Sequence, residues 1–124
     1  MRYLLVAVFG AGGAVCRYAV DSFLVGLSDS RFPWGTFAVN VVGAFAIGVL
    51  VALTTERMIA DPNWRIAIGA GFLGAFTTFS AYALETVKLV EDNEIGLALV
   101  NAFGMLALGL LAAVAGLALG RNLT

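Results

Sequence analysis

Apolar residues fill four long stretches of the chain, and polar residues collect in three short links between them. The first stretch runs from about Tyr3 to Leu27 and is interrupted by Arg17 and Asp21. A link from Ser28 to Trp34 carries Asp29, Arg31 and Pro33. The second stretch, about Gly35 to Thr55, is clean except for Asn40. Glu56 to Trp64 forms a polar link whose Pro62 suits a helix start nearby. The third stretch runs from about Arg65 to Val90 and ends at the acidic turn Glu91-Asp92-Asn93-Glu94. The fourth, about Ile95 to Leu119, closes on Gly120-Arg121. A helix spanning a bilayer needs about 20 predominantly apolar residues. The pattern therefore predicts four transmembrane helices in one domain, residues 1–124. Trp34 and Trp64 fall at predicted helix ends, where indole rings favour the membrane interface.

Composition agrees with that pattern and narrows the chemistry. The 124 residues are 61% hydrophobic and 12% charged, with a mean hydropathy of +0.98. A soluble domain carries roughly 25% charged residues, so an integral, multi-pass protein of the cell (inner) membrane is expected. Cys16 is the single cysteine and histidine is absent, which excludes an internal disulfide, a cysteine-cluster metal site and a histidine-based triad. A net charge of −1 gives no nucleic-acid signal. Met1-Arg2 before an apolar run has the look of a signal peptide. The hydrophobicity resumes after Arg17, however, and a retained first helix is the better reading. Four helices put both termini on one side with Arg2, Arg57, Arg65 and Arg121; Arg31 and Lys88 face the other. That asymmetry is weak. It makes cytoplasmic termini the default and also permits insertion in both orientations.

The residues Gly71 to Tyr82, Gly-Phe-Leu-Gly-Ala-Phe-Thr-Thr-Phe-Ser-Ala-Tyr, depart from the plain apolar pattern. Arg65 and Lys88 are the nearest basic residues on either side, and their midpoint falls between Phe76 and Thr77. Polar, glycine-rich chain thus lies near the bilayer centre, where unsatisfied backbone is most costly. Thr77, Thr78 and Ser80 can bond back to carbonyls one turn earlier and bend a helix. That leaves Gly69, Gly71 and Gly74 unexplained, because glycine lowers helix propensity. A broken membrane helix exposes carbonyls that hold cations and amides that face anions. Phe79 and Tyr82, three apart, share one helical face.

Three further features bear on function. Asn40 is able to bond a neighbouring helix or to donate N–H to an anion in a pore. Arg17 lies roughly 15 Å from the far end of the first helix, with Asp21 at the i+4 position for an intrahelical pair. A structural or electrostatic role fits it better than contact with a permeating ion. Gly43, Gly48, Gly104, Gly109 and Gly116 allow close helix packing. No P-loop, GxSxG or metal motif and no close pair of membrane carboxylates appears, so an enzyme is not expected.

Gly71-Phe72-Leu73-Gly74-Ala75-Phe76-Thr77-Thr78-Phe79-Ser80 resembles the signature of the small bacterial fluoride channels, the Fluc or CrcB family. Gly35-Thr36-Phe37-Ala38-Val39-Asn40-Val41-Val42-Gly43 is similar to their second-helix motif, and Gly10 to Arg17 to their first helix. The resemblance implies an all-α protein with its third helix broken near the bilayer centre. It also implies a passive, fluoride-selective channel assembled as an antiparallel dual-topology dimer in membrane lipid. A structural sodium ion is implied at the dimer interface, held by the backbone carbonyls of Gly74 and Thr77. Asn40 and Phe79 then line the fluoride pathway, with Thr78 and Ser80 as polar neighbours and Arg17 as the family's first-helix arginine. Two departures stand out. Tyr82 occupies the position of the second pore phenylalanine, and Asn101 and Met105 replace a tyrosine and a serine in the fourth helix. The expected activity is fluoride export down its gradient. The alternatives are a subunit that needs a paralogous partner, or a small four-helix multidrug antiporter, for which only Asp21 offers a carboxylate.

Overall fold

The computed structural model describes residues 1–27, 30–58 and 61–123. Ser28 and Asp29 of the first link lie outside the described residues, as do Ile59, Ala60 and Thr124. Every element among the described residues is helical. Helix α1 spans Arg2–Leu27 and α2 spans Trp34–Glu56. The third span, Pro62–Glu91, is divided into α3 (residues 62–76) and α4 (Phe79–Glu91). Helix α5 spans Ile95–Asn122. All four spans are long and apolar enough to cross a bilayer. The protein is an all-α, multi-pass membrane protein whose third helix is broken.

Local chemistry marks the helix ends. Asp61 caps α3, its carboxylate accepting from Asn63 N at 2.8 Å, and Pro62 takes the first helical position, where its missing N–H costs nothing. The α4–α5 turn closes with Glu94 N donating to Leu89 O and Asn93 N to Val90 O. Asn93 adopts a left-handed φ of 61°, the conformation this helix ending requires. Arg65–Leu73 in α3 and Ala52–Glu56 in α2 are wound as wider π-helix. Gly69 and Gly71 lie in the first of these, where low helix propensity reduces the resistance to rewinding.

Small residues set the spacing between helices. A Cβ added at Gly13 of α1 would collide with the Phe72 carbonyl of α3, and one at Gly71 would meet Phe9 Cβ at 3.0 Å. On α2 and α5, a Cβ at Gly48 would approach Ala113 O to 2.5 Å, and one at Gly116 would collide with Phe45 O. Lipid offers no hydrophobic drive for helices to associate, so close backbone contact of this kind supplies the packing. Gly104 abuts the Phe37 ring, whereas Gly109 has nothing within 4 Å. The buried apolar centre joins Val39 of α2 to Leu73 and Phe76 of α3.

The ends are tied by charge. Arg31 lies 3.4 Å from Glu94 across one face. At the opposite end Arg121 meets Glu56 with two bonds of 2.6 and 2.8 Å. Arg57 donates to the Arg121 carbonyl, and Arg65 donates to Thr55 Oγ1 at 3.1 Å. The Arg17–Asp21 pair that the i+4 spacing allows does not form. The ion pairs found among the described residues are those of Arg31 and Arg121, and Arg17 reaches across to α3 instead.

Candidate functional site

The break consists of extended backbone at two residues: Thr77 has ψ 158° and Thr78 φ −151°, ψ 122°. Such chain at membrane depth must have its polar groups partnered within the protein. Asn40 does this for Thr78. Its Nδ2 donates to Thr78 O at 2.9 Å, and its Oδ1 accepts from Thr78 N at 2.8 Å. A side-chain amide carries the same donor and acceptor as a peptide, so one Asn satisfies both groups at once. Gly43, one turn further along the same face of α2, leaves the space taken by the Thr77 methyl group; a Cβ there would collide with Thr77 Cγ2. One residue thus supplies the amide and the other supplies room.

Each half-helix is finished by a different group. On the α3 side, Thr77 N and Thr77 Oγ1 both donate to Leu73 O, at 3.1 and 3.0 Å. Arg17 Nε donates to Ala75 O at 3.0 Å, bringing a cation to a helix C-terminus, where it complements the dipole. On the α4 side, Thr78 Oγ1 accepts from Ala81 N at 3.2 Å as a helix cap, and lies 3.3 Å from Ser80 Oγ. These diversions withdraw the regular donors from two carbonyls. The customary donors to Gly74 O and Thr77 O, four residues on, are Thr78 N and Ala81 N, and those are engaged by Asn40 Oδ1 and Thr78 Oγ1. The regular helical donors to these two carbonyls are thus turned to side chains. Gly74 is exposed, and the two residues border a cavity of about 330 Å³ shared with Asn40 and Gly43. Open carbonyl oxygens are the hard donors a hard cation takes. Gly74 and Thr77 are the residues at this cavity whose backbone oxygens could serve such a cation.

The other side of the break opens on a cleft of about 430 Å³, bordered by Asn40, Thr77, Thr78, Phe79, Tyr82, Met105, Leu106, Gly109 and Leu110. Phe79 is 78% exposed, and its ring centroid lies 5.7 Å from that of Tyr82. Asn40 uses one of its two Nδ2 hydrogens on Thr78, so a second is left over on a residue that borders the cleft. Ser80 is exposed beside the break. Tyr82 does not direct its hydroxyl hydrogen to the cleft: it donates to Ala102 O of α5 at 2.7 Å. Met105 is buried and borders the cleft, while Asn101 is completely buried and bonds Thr86 Oγ1 at 2.8 Å.

The break thus gathers Arg17, Asn40, Gly74, Thr77, Thr78, Phe79, Ser80 and Tyr82 in one region. Other polar residues nearby were not singled out from sequence. Thr36 Oγ1 donates to Glu85 Oε1 at 2.6 Å, and the pair borders a cavity of about 120 Å³ with Arg17, Asp21 and Thr78. Thr36 sits four residues before Asn40 on the same face of α2, which is the one signal that points to it. Glu85 and Thr86 carry no local spacing that pairs them with other helices.

A membrane protein of four spans, with a helix broken at mid-depth and a cleft at the break, is the class that fold and site define. The chain belongs to the CrcB-like protein, Camphor Resistance (CrcB) family, whose model matches residues 4–117. It is 42% identical over 123 residues to a fluoride-specific ion channel FluC of Acidobacterium capsulatum, covering 99% of this chain and 98% of that protein. It is 46% identical over 119 residues to the fluoride-specific ion channel FluC of Agrobacterium fabrum, covering 96% and 95%. The fluoride-specific ion channel FluC 1 of Symbiobacterium thermophilum is 46% identical over 121 residues, covering 97% and 98%. These relatives are named as ion channels, not as enzymes.

Proposed function

We propose that the chain is a fluoride-selective passive channel that lets cytoplasmic fluoride leave the cell down its gradient. Near-full-length similarity to proteins named fluoride-specific ion channels supports the ion. The Asn40–Thr78 clamp beside an open cleft is the observation that carries the mechanism. Fluoride gives up strongly held water only where donors replace it. The second Nδ2 hydrogen of Asn40, the one hydroxyl hydrogen that Thr78 and Ser80 do not spend on each other, and the positive ring edges of Phe79 and Tyr82 are the donors available. The N-terminus of α4 adds the positive end of a helix dipole at the same place.

The same break ends α3 in carbonyls, and the pair at Gly74 and Thr77, whose regular donors are engaged elsewhere, supports a structural sodium ion between two antiparallel copies. A bound sodium supplies a fixed positive charge beside an anion path. Arg17 adds a second cation on the α3 side through its bond to Ala75 O.

The test is reconstitution of this chain alone in liposomes with fluoride and chloride efflux recorded. Fluoride efflux without chloride efflux is expected. Absence of fluoride efflux overturns a self-sufficient channel and favours a subunit that needs a paralogous partner; equal chloride efflux overturns selectivity. Replacing sodium by a bulky organic cation throughout purification is expected to depress the flux. An undiminished flux removes the sodium from the reading.

A further inference from the structure

Tyr82 is held at both of its polar ends, directly by α5 at its hydroxyl and through Thr86 of its own helix at its carbonyl. Its hydroxyl donates to Ala102 O at 2.7 Å. Its backbone carbonyl accepts from Thr86 Oγ1 at 2.7 Å, and that hydroxyl in turn accepts from Asn101 Nδ2 at 2.8 Å. The direction of the chain is fixed by its hydrogens. The single hydroxyl hydrogen of Thr86 goes to Tyr82 O, so Thr86 accepts from Asn101, and Asn101 must turn its NH₂ toward Thr86. Two crossed links therefore join Tyr82 and Thr86 of α4 to Asn101 and Ala102 of α5.

The Asn101 amide is otherwise a liability. It is 0% exposed, and its Oδ1 has no hydrogen-bond partner among the described residues. A buried acceptor without a donor is destabilising, and an apolar residue at this place avoids it. Departures of this kind from local rules concentrate at functional sites. The one bond that Asn101 makes leads to the residue that lines the cleft beside Phe79.

We infer that Thr86 and Asn101 are positioning residues which, with the Ala102 carbonyl, lock Tyr82 so that its O–H is spent on α5 and its ring alone is offered to an ion. The lock makes a tyrosine behave as a phenylalanine in the cleft. A free phenol at that place is a strong donor able to trap an anion or favour a larger one. A phenol already bonded to a carbonyl is not. The inference rests on the fluoride-channel reading above for its consequence, and on geometry alone for the lock itself.

Liposome efflux with Thr86→Val, Thr86→Ser and Asn101→Leu tests the consequence. Thr86→Val and Asn101→Leu are expected to lower fluoride efflux or the fluoride-to-chloride ratio about tenfold, the equivalent of one lost buried hydrogen bond. Thr86→Ser, which keeps the hydroxyl, is expected to restore it. Equal behaviour of the Val and Ser variants overturns the inference. So does a Thr86→Val loss that is undiminished in a Tyr82→Ala background, because the effect then does not pass through the ring. A second readout needs no conduction. With Tyr3→Phe and Tyr18→Phe, Tyr82 is the only tyrosine left in the chain, and 3-fluorotyrosine incorporation gives one fluorine NMR signal. Thr86→Val and Asn101→Leu are expected to shift or broaden it and Thr86→Ser to leave it in place; a signal unmoved by all three overturns the lock. A silent wild type in the efflux assay with the NMR response intact counts against the channel reading and supports the lock.

Discussion

Helix α2 meets its neighbours in two ways. Near its start, Asn40 grips the extended Thr78 peptide of the third span with two hydrogen bonds. Near its end, Gly48 lies against α5 with nothing but backbone, opposite Gly116. The first contact exists because polar chain at mid-depth must be satisfied; the second exists because nothing polar is present and contact distance is all that remains to gain. Damage at the glycine crossing therefore falls on the fold as a whole. Damage at the clamp falls on one peptide and on the cleft it borders.

The largest effect is expected from Gly116→Leu, whose new side chain has only the Phe45 carbonyl and Val49 amide to enter. Overpacking against backbone costs about 3 kcal/mol or more, and loss of a monodisperse peak in size-exclusion chromatography is the readout. A stable, well-folded variant breaks the contrast. Asn40→Asp comes next. It replaces the donor facing Thr78 O by a carboxylate oxygen and adds a charge beside the cleft, so fluoride efflux is expected to fall about a hundredfold, roughly 2.7 kcal/mol of barrier. Flux close to wild type removes Asn40 from the ion path. Arg17→Leu is smaller: it uncaps Ala75 O, with a loss of about 2 kcal/mol in thermal unfolding, and Arg17→Lys is expected to recover part of it. The smallest effect is expected from Arg121→Ala, since an exposed ion pair with Glu56 adds little to stability. A fall in melting temperature matching that of Arg17→Leu puts the end contacts on a par with the break.

Much of this molecule is legible in its sequence, and the remainder is illegible for definite reasons. The spans follow from the length of apolar runs, and the broken third helix follows from Gly69, Gly71, Gly74 and two adjacent threonines at mid-depth. Asn40 is conspicuous as a lone amide in an apolar helix, but its partner is not. A residue 38 positions away leaves no periodic trace. Arg17 exposes the limit of spacing rules: i+4 points to Asp21, while the structure sends its guanidinium across to the Ala75 carbonyl, where an uncapped helix end has more to gain. Tyr82 presents the same lesson in reverse. Its hydroxyl is visible in the sequence as an added donor, but the carbonyl that consumes that donor belongs to Ala102, whose side chain carries no polar signal. The π-helical winding of Arg65–Leu73, where Gly71 packs against Val6 and Phe9 of the first helix, likewise leaves no mark in the sequence.

The partners of the break also have an order in time. Asn40 precedes Thr78 by 38 residues, and Arg17 precedes Ala75 by 58. Both groups that satisfy the broken segment are therefore synthesised before the segment itself. The last helix, which brings Ala102 and Asn101 to Tyr82 and Thr86, arrives afterwards. Synthesis thus supplies the partners of the broken backbone first and those of the aromatic ring last.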